Sequence, residues 1–338
     1  MKKRIVAMVL LAAFMLTACS TGGESQTSAT EGTVTEITES TEATSETSED
    51  TEESETEEST TATTTEMPTV PFEPVEQPED AVVKEGYHFV WGDEFNGDSL
   101  NEKTWTRETH EKGWVNHELQ EYKADEKYAY VKNGMLIIQP VKEEKDGQVK
   151  YYSGRVNTCD KFTCKYGRIE ARIKTPEGKG FLPAFWMLPN RGRWPIGGEI
   201  DIMEIVGGQE NSVHGTLHFG NPHDMRQGSY TFDDIELSDD FHVYACEWEP
   251  GKISFYIDDI LFFTESDWFS APAATLVYDY PAPFNKPFYI IFNVAVGGDW
   301  PGDPDEKTKF DKHAQMRVDW VRVYQKDAYD ENVTKPNT

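Results

Sequence analysis

Between residues 81 and 326 apolar and polar side chains alternate in short runs with a period of two. Examples are YAYV (128–131), MLIIQPV (135–141), GRIEARIKT (167–175), FHVYACEWE (241–249), KISFYID (252–258), ILFFTE (260–265) and MRVDWVRVY (316–324). Such a period sends successive side chains to opposite faces of a strand. GRIEARIKT is the cleanest case, with Ile169, Ala171 and Ile173 on one side and Arg168, Glu170, Arg172 and Lys174 on the other. That pattern predicts one face on a core and one in water. Asn133-Gly134 between two runs predicts a two-residue type I′ hairpin. No segment carries a long helical period with caps. Roughly a dozen short strands therefore predict an all-β domain, either a sandwich of two antiparallel sheets or a barrel.

One run breaks the alternation. GEIDIMEIVG (198–207) has the β-formers Ile200, Ile202, Ile205 and Val206, but also Glu199, Asp201 and Glu204. In a regular strand Glu199 and Asp201 share a face, and Glu204 points into the isoleucine side, where a lone carboxylate is costly. A β-bulge near Ile202-Met203 resets the phase and puts all three acids on one face. Ile200, Met203 or its neighbour, and Ile205 then face the core.

Three carboxylates on one face suit glycoside hydrolysis. That chemistry uses a pair of carboxyls, which lie ~5–5.5 Å apart when configuration is retained. The reading is Glu199 as nucleophile, Glu204 as acid/base, and Asp201 between them setting which carboxyl is ionised. The competing reading is a solvated acidic strand face. Sugar sites also need flat apolar surfaces. Trp186 in PAFWMLP, Trp194 in RWPIGGE and Trp300 in GGDWPG qualify, although core packing is the better reading for Trp186 and Trp300 taken singly, Trp194 being the exception in its loop. His214 and His218 share a face of one strand and read as substrate-bonding groups rather than a metal pair.

Composition sets the ends apart. Residues 1–19 have a basic start, an apolar run and Leu-Thr-Ala-Cys, which reads as a lipoprotein signal peptide with Cys19 as the lipidated residue. Residues 20–80 read as a disordered Ser/Thr/Glu-rich linker; 20–70 alone hold 13 Glu, one Asp and no Lys or Arg. Those 14 acids supply about half of the net charge of −29, and the remaining acidic excess argues against nucleic acid. Residues 327–338 read as a polar tail that frays. Cys159 and Cys164 are close enough in sequence to leave a disulfide open, and Cys246 reads as a core residue.

GEIDIME, in the form Glu-x-Asp-x-x-Glu, resembles the signature of glycoside hydrolase family 16 in its laminarinase-like branch. The segments FVWGDEFNG (89–97), NHELQEY (116–122), SGRVNT (153–158), YGRIEARIKTPEGKGFLPAFWMLP (166–189), VHGTLHFG (213–220), FNVAVGGDWPG (292–302) and MRVDWVRVYQ (316–325) are similar to family segments in family order. The resemblance implies a β-jelly-roll sandwich with a substrate cleft on its concave sheet. It implies a retaining endo-β-glucanase acting on β-1,3 bonds of laminarin-like or mixed-linkage glucans, with no organic cofactor. Asn116, Arg155, Trp194 and His218 match positions associated with substrate contact; Glu121 and Trp300 match less closely. A structural calcium is implied near Glu94, the carbonyl of Gly134, and Asp319. Combined with the leader, this gives an extracellular, lipid-anchored monomer whose partner is a β-glucan. Alternatives are a same-fold agarase, carrageenase or transglycosylase, for which Arg191 and Arg193 offer a basic wall, and a non-catalytic glucan-binding protein. Two residues depart from the usual family pattern: His117 in NHELQ and Asp299 in GGDWPG.

Overall fold

A computed structural model describes residues 72–273 and 276–336. The leader, Cys19 and the linker up to residue 71 lie outside the described residues. Two antiparallel sheets account for most of the domain. The concave sheet has seven strands, in the order Asp224–Thr231, Ser212–Phe219, Glu199–Glu204, Phe181–Pro189, Phe288–Val296, Arg155–Asn157 and Thr106–Arg107. The other sheet runs Ile260–Glu265, Lys252–Ile257, His242–Glu249, Gly167–Lys174, Met316–Gln325, Leu136–Ile138 and Ala129–Val131, with His88–Asp93 also paired to Met316–Gln325. Of the sandwich or barrel that periodicity left open, the chain adopts the sandwich, as a jelly roll. Among the described residues the only helical turn is the short 3₁₀ turn Lys312–Ala314.

The inward faces meet in one core. Phe185, Met187, Ile200, Leu217, Ile290 and Phe292 from the concave sheet are fully buried in one cluster with Ile169, Ala171, Ile173, Cys246, Phe255 and Val321 from the other. Alternation is the cause, since each strand contributes every second side chain. The Asn133-Gly134 hairpin forms as predicted: both residues have positive φ (54° and 69°), and Lys132 and Met135 exchange backbone hydrogen bonds.

Three expectations change. Arg168 and Glu170 are not in water: Arg168 is 2% exposed. It donates to Glu170 (2.8 Å), Glu247 (3.1 Å) and Asp259 (3.0 Å), so burial is matched by charge pairing. Residues 72–80, assigned to the linker, dock on the domain. Phe72 sits edge-on to Phe162, and Asp80 accepts from Arg322. The tail also docks: Tyr329 packs against Tyr166, and Glu331 and Lys335 pair with Lys165 and Asp267. Cys164 and Cys246 are free thiols in buried positions, and buried Cys159 donates its Sγ–H to Asn190 Oδ1 at 3.6 Å.

Candidate active site

The acidic strand contains the bulge. Against Ser212–Phe219, Glu199 pairs with His218, Ile200 with Leu217 and Asp201 with Thr216, but Glu204 then pairs with His214. Ile202 and Met203 thus stand opposite Gly215 alone. Against Phe181–Pro189, Asp201 pairs with Trp186 while Met203 pairs with Phe185, leaving Ile202 as the extra residue. Both bulge residues, with Ile200 and Ile205, are fully buried. Glu204 returns to the concave face, where the Thr216 hydroxyl donates to it at 3.4 Å and Gln227 in turn donates to that hydroxyl at 3.0 Å. Two glycines bracket the strand. Gly198 has φ +86°, and a Cβ on Gly207 would lie 2.2 Å from the Gly178 carbonyl oxygen, so neither position admits a side chain.

Cross-strand rows carry the site across the sheet. Gln227, Thr216, Asp201, Trp186, Ile291 and Asn157 form one row. Ser229, His214, Glu204, Ala184, Asn293 and Arg155 form the next.

The environment separates the three acids. Burial pushes Glu199 up to about 7, opposed by the Arg155 guanidinium and by hydrogen bonds from Trp194 and Asp201. Asp201 is driven well above the carboxylate range by burial, then by repulsion from Glu199 and Glu204. Burial, then the Glu199 charge, pushes Glu204 up to about 8. Near pH 7.5 Asp201 therefore keeps its proton and donates it to an ionised Glu199, while Glu204 is largely protonated. His218, pushed down to about 3 by burial, is a neutral imidazole. One carboxylate and one carboxylic acid on a single face is the division of labour that glycoside hydrolysis requires.

The glycosyl hydrolases family 16 model matches residues 102–322. The chain belongs to this family. It is 38% identical over 270 residues to the glucan endo-1,3-beta-glucosidase A1 of Niallia circulans, covering 73% of this chain and 39% of that protein. It is 39% identical over 254 residues to a beta-glucanase of Rhodothermus marinus, covering 70% of this chain and 85% of that one. The solved laminarinase from Rhodothermus marinus superposes with a TM-score of 0.62 at 37% identity, covering 72% of this chain and 98% of that one.

The positions suggested by family 16 resemblance divide into two groups. Trp194 and His218 lie at the acids: Trp194 donates to Glu199, and His218 Nε2 is 3.5 Å from Asp201 Oδ2. Trp186, beside Asp201, donates to Asn293 at 2.7 Å and keeps a half-exposed ring. Trp300 packs edge-on against His214 in the Glu204 row, and Asn116 is exposed in a loop whose carbonyl accepts from Asp299. Arg155 is held by an acid and two aromatic rings. It is 5% exposed, 3.0 Å from Glu108, and sandwiched between Trp114 and Trp186. Its charge acts on Glu199 from the same face of the sheet. Glu121 is paired with Lys123 at 2.6 Å.

Glu94, Gly134 and Asp319 do gather at one gap. Met316–Gln325 pairs with Leu136–Ile138 up to Val318 and with His88–Asp93 from Val321, and Asp319 bulges between. Their carboxylates, however, are committed to arginines. Both Glu94 oxygens accept from Arg322 (2.8 Å), and Asp319 Oδ2 accepts from Arg172 (2.6 Å). A calcium ion on this set would compete with Arg322 and Arg172 for the carboxylates, and no step of the chemistry runs through it.

Several cleft residues escape sequence reasoning. Glu118 is buried and pushed up to about 6 by desolvation, holds a 2.6 Å bond from Gln120, and adds charge near Glu204. Glu108, His110, Trp114 and Asn293 build the support around Arg155 and Trp186. Their only local signal is polar residues interrupting apolar runs. His117 and Asp299 prove to be partners: His117 Nδ1 is 3.0 Å from both Asp299 oxygens, so the two departures form one link between cleft loops.

Proposed function

We propose that this family 16 protein is a retaining endo-β-glucanase that hydrolyses β-1,3-glucosidic bonds in laminarin-like or mixed-linkage glucans. The observation that carries the reading is the bulged strand presenting Glu199, Asp201 and Glu204 on one face of the sheet, where burial raises both glutamates and the Glu199 charge raises Glu204 further. Glu204 protonates the leaving glycosidic oxygen as Glu199 attacks the anomeric carbon. The resulting glycosyl-enzyme bond is broken by water, from which Glu204 now takes a proton. Asp201 holds its hydrogen on Glu199 and relaxes as charge leaves that carboxylate. Trp186 and Trp194 supply flat surfaces for pyranose rings. A neutral polymer fits better than a sulfated one, because Arg191 of the basic loop is paired with Asp160 at 2.8 Å. The leader and acidic linker support display at the cell surface through a lipid on Cys19, as a monomer. Among the described residues no helix is long and apolar enough to cross a membrane.

Laminarin, lichenan and agarose, each incubated with the protein and the products sized, test the substrate. Laminarin yields a ladder of internal-cleavage oligosaccharides and agarose none; the reverse overturns the reading. The pH dependence of kcat/KM is bell-shaped. Below about 7 the rate falls as Glu199 takes up a proton, and above about 8 it falls as Glu204 loses one. Glu204→Gln removes the alkaline limb. A wild-type profile flat from pH 5 to 9 contradicts these roles.

A further inference from the structure

We propose that the cleft also binds a zinc ion on Glu199, Asp201 and His218, and that the bound ion arrests turnover by occupying the nucleophile. The consequence for turnover rests on the glucanase reading; the site itself does not. One ligand atom from each of the three side chains lies within 4.8 Å of the others. His218 Nε2 is 3.5 Å from Asp201 Oδ2 and 3.9 Å from Glu199 Oε1. Ligands ~2.0–2.2 Å from a tetrahedral zinc stand roughly 3.3–3.6 Å from one another, so a small closing movement seats the ion.

A separate observation points the same way. Asp201 Oδ2 is buried, with the whole residue 3% exposed, and has no hydrogen-bond partner among the described residues. A buried carboxyl oxygen without a donor is costly, and this one faces His218 Nε2 at 3.5 Å. His218 is also oriented for coordination. Its Nδ1 is 2.9 Å from His223 Nε2. When His218 Nδ1 carries the ring hydrogen and donates to His223, Nε2 presents a lone pair toward the Glu199 and Asp201 carboxyls, and zinc entering there releases the Asp201 proton to solvent. Zinc-binding histidines are fixed by such a partner on the far nitrogen. One imidazole and two carboxylates, with a fourth position open to the cleft, suit zinc better than calcium or magnesium, which favour all-oxygen sets. The ion is an inhibitor here, not a resident cofactor, and a glucan entering the cleft competes with it.

Calorimetric titration of zinc chloride into the full chain tests the site directly, with laminarin hydrolysis measured in parallel with and without zinc. The expected result is one saturable site per chain, an inhibition midpoint that rises with laminarin concentration and extrapolates at zero laminarin to the calorimetric Kd, and recovery with a chelator. His218→Gln and Asp201→Asn, each checked for an unchanged melting profile, each weaken binding at least tenfold. No saturable binding, or binding unchanged in both variants, overturns the proposal. Zinc binding without glucan turnover sinks the glucanase reading alone; turnover without zinc binding sinks the zinc site alone.

Discussion

Glu199→Gln lowers kcat on laminarin by about 10⁴-fold or more, with KM changed only a few fold. The amide keeps the shape of the carboxyl and still accepts from Trp194 and Asp201, so glucan binding is retained. It cannot form the glycosyl bond, and loss of an interaction needed only in the transition state appears in kcat. A thermal melt separates this from misfolding. Glu199 is raised to about 7 from an ordinary value of 4.5, so its ionisation costs the folded state stability that grows as pH rises through that interval. The Gln variant therefore melts higher than wild type at pH 8 and at the same temperature at pH 4. A variant with more than a hundredth of wild-type kcat contradicts the assignment.

Deleting Ile202 abolishes activity and destabilises the domain by at least about 3 kcal/mol. Ile202 is the extra residue relative to both neighbouring strands. Without it the pairing regularises, and Glu204 takes the phase of fully buried Met203. A carboxylate forced among Phe185 and its neighbours has no partner. Either it stays there uncharged or the strand slips; both remove the acid from the cleft. Thermal unfolding and laminarin turnover report the two losses together. A deletion variant that turns over within tenfold of wild type shows that the bulge does not set the site.

The sequence announced this bulge because the violation was local: one acid out of phase among isoleucines can be repaired by one residue. Strand identity was equally legible, since a period of two assigns faces without knowledge of partners. The face of Arg168 and Glu170 was misread for the same reason, because alternation shows which side is polar and not what covers it. The burial of Arg155 was not legible, because it depends on Glu108, Trp114 and Trp186, which come from separate strands and loops. His117 and Asp299 looked like two unrelated departures until the fold brought them together. The docked segments at 72–80 and beyond residue 326 were polar by composition, yet each carries an aromatic anchor, Phe72 or Tyr329, that averages conceal.

The most direct test of the central claim is proton NMR of the anomeric region during the first moments of laminarin-oligosaccharide hydrolysis, before mutarotation. If Glu199 and Glu204 meet at one sugar in a double displacement, the new reducing end appears first as the β-anomer and the α-anomer grows in later. An α-anomer that appears first would mean direct attack by water and would contradict the account.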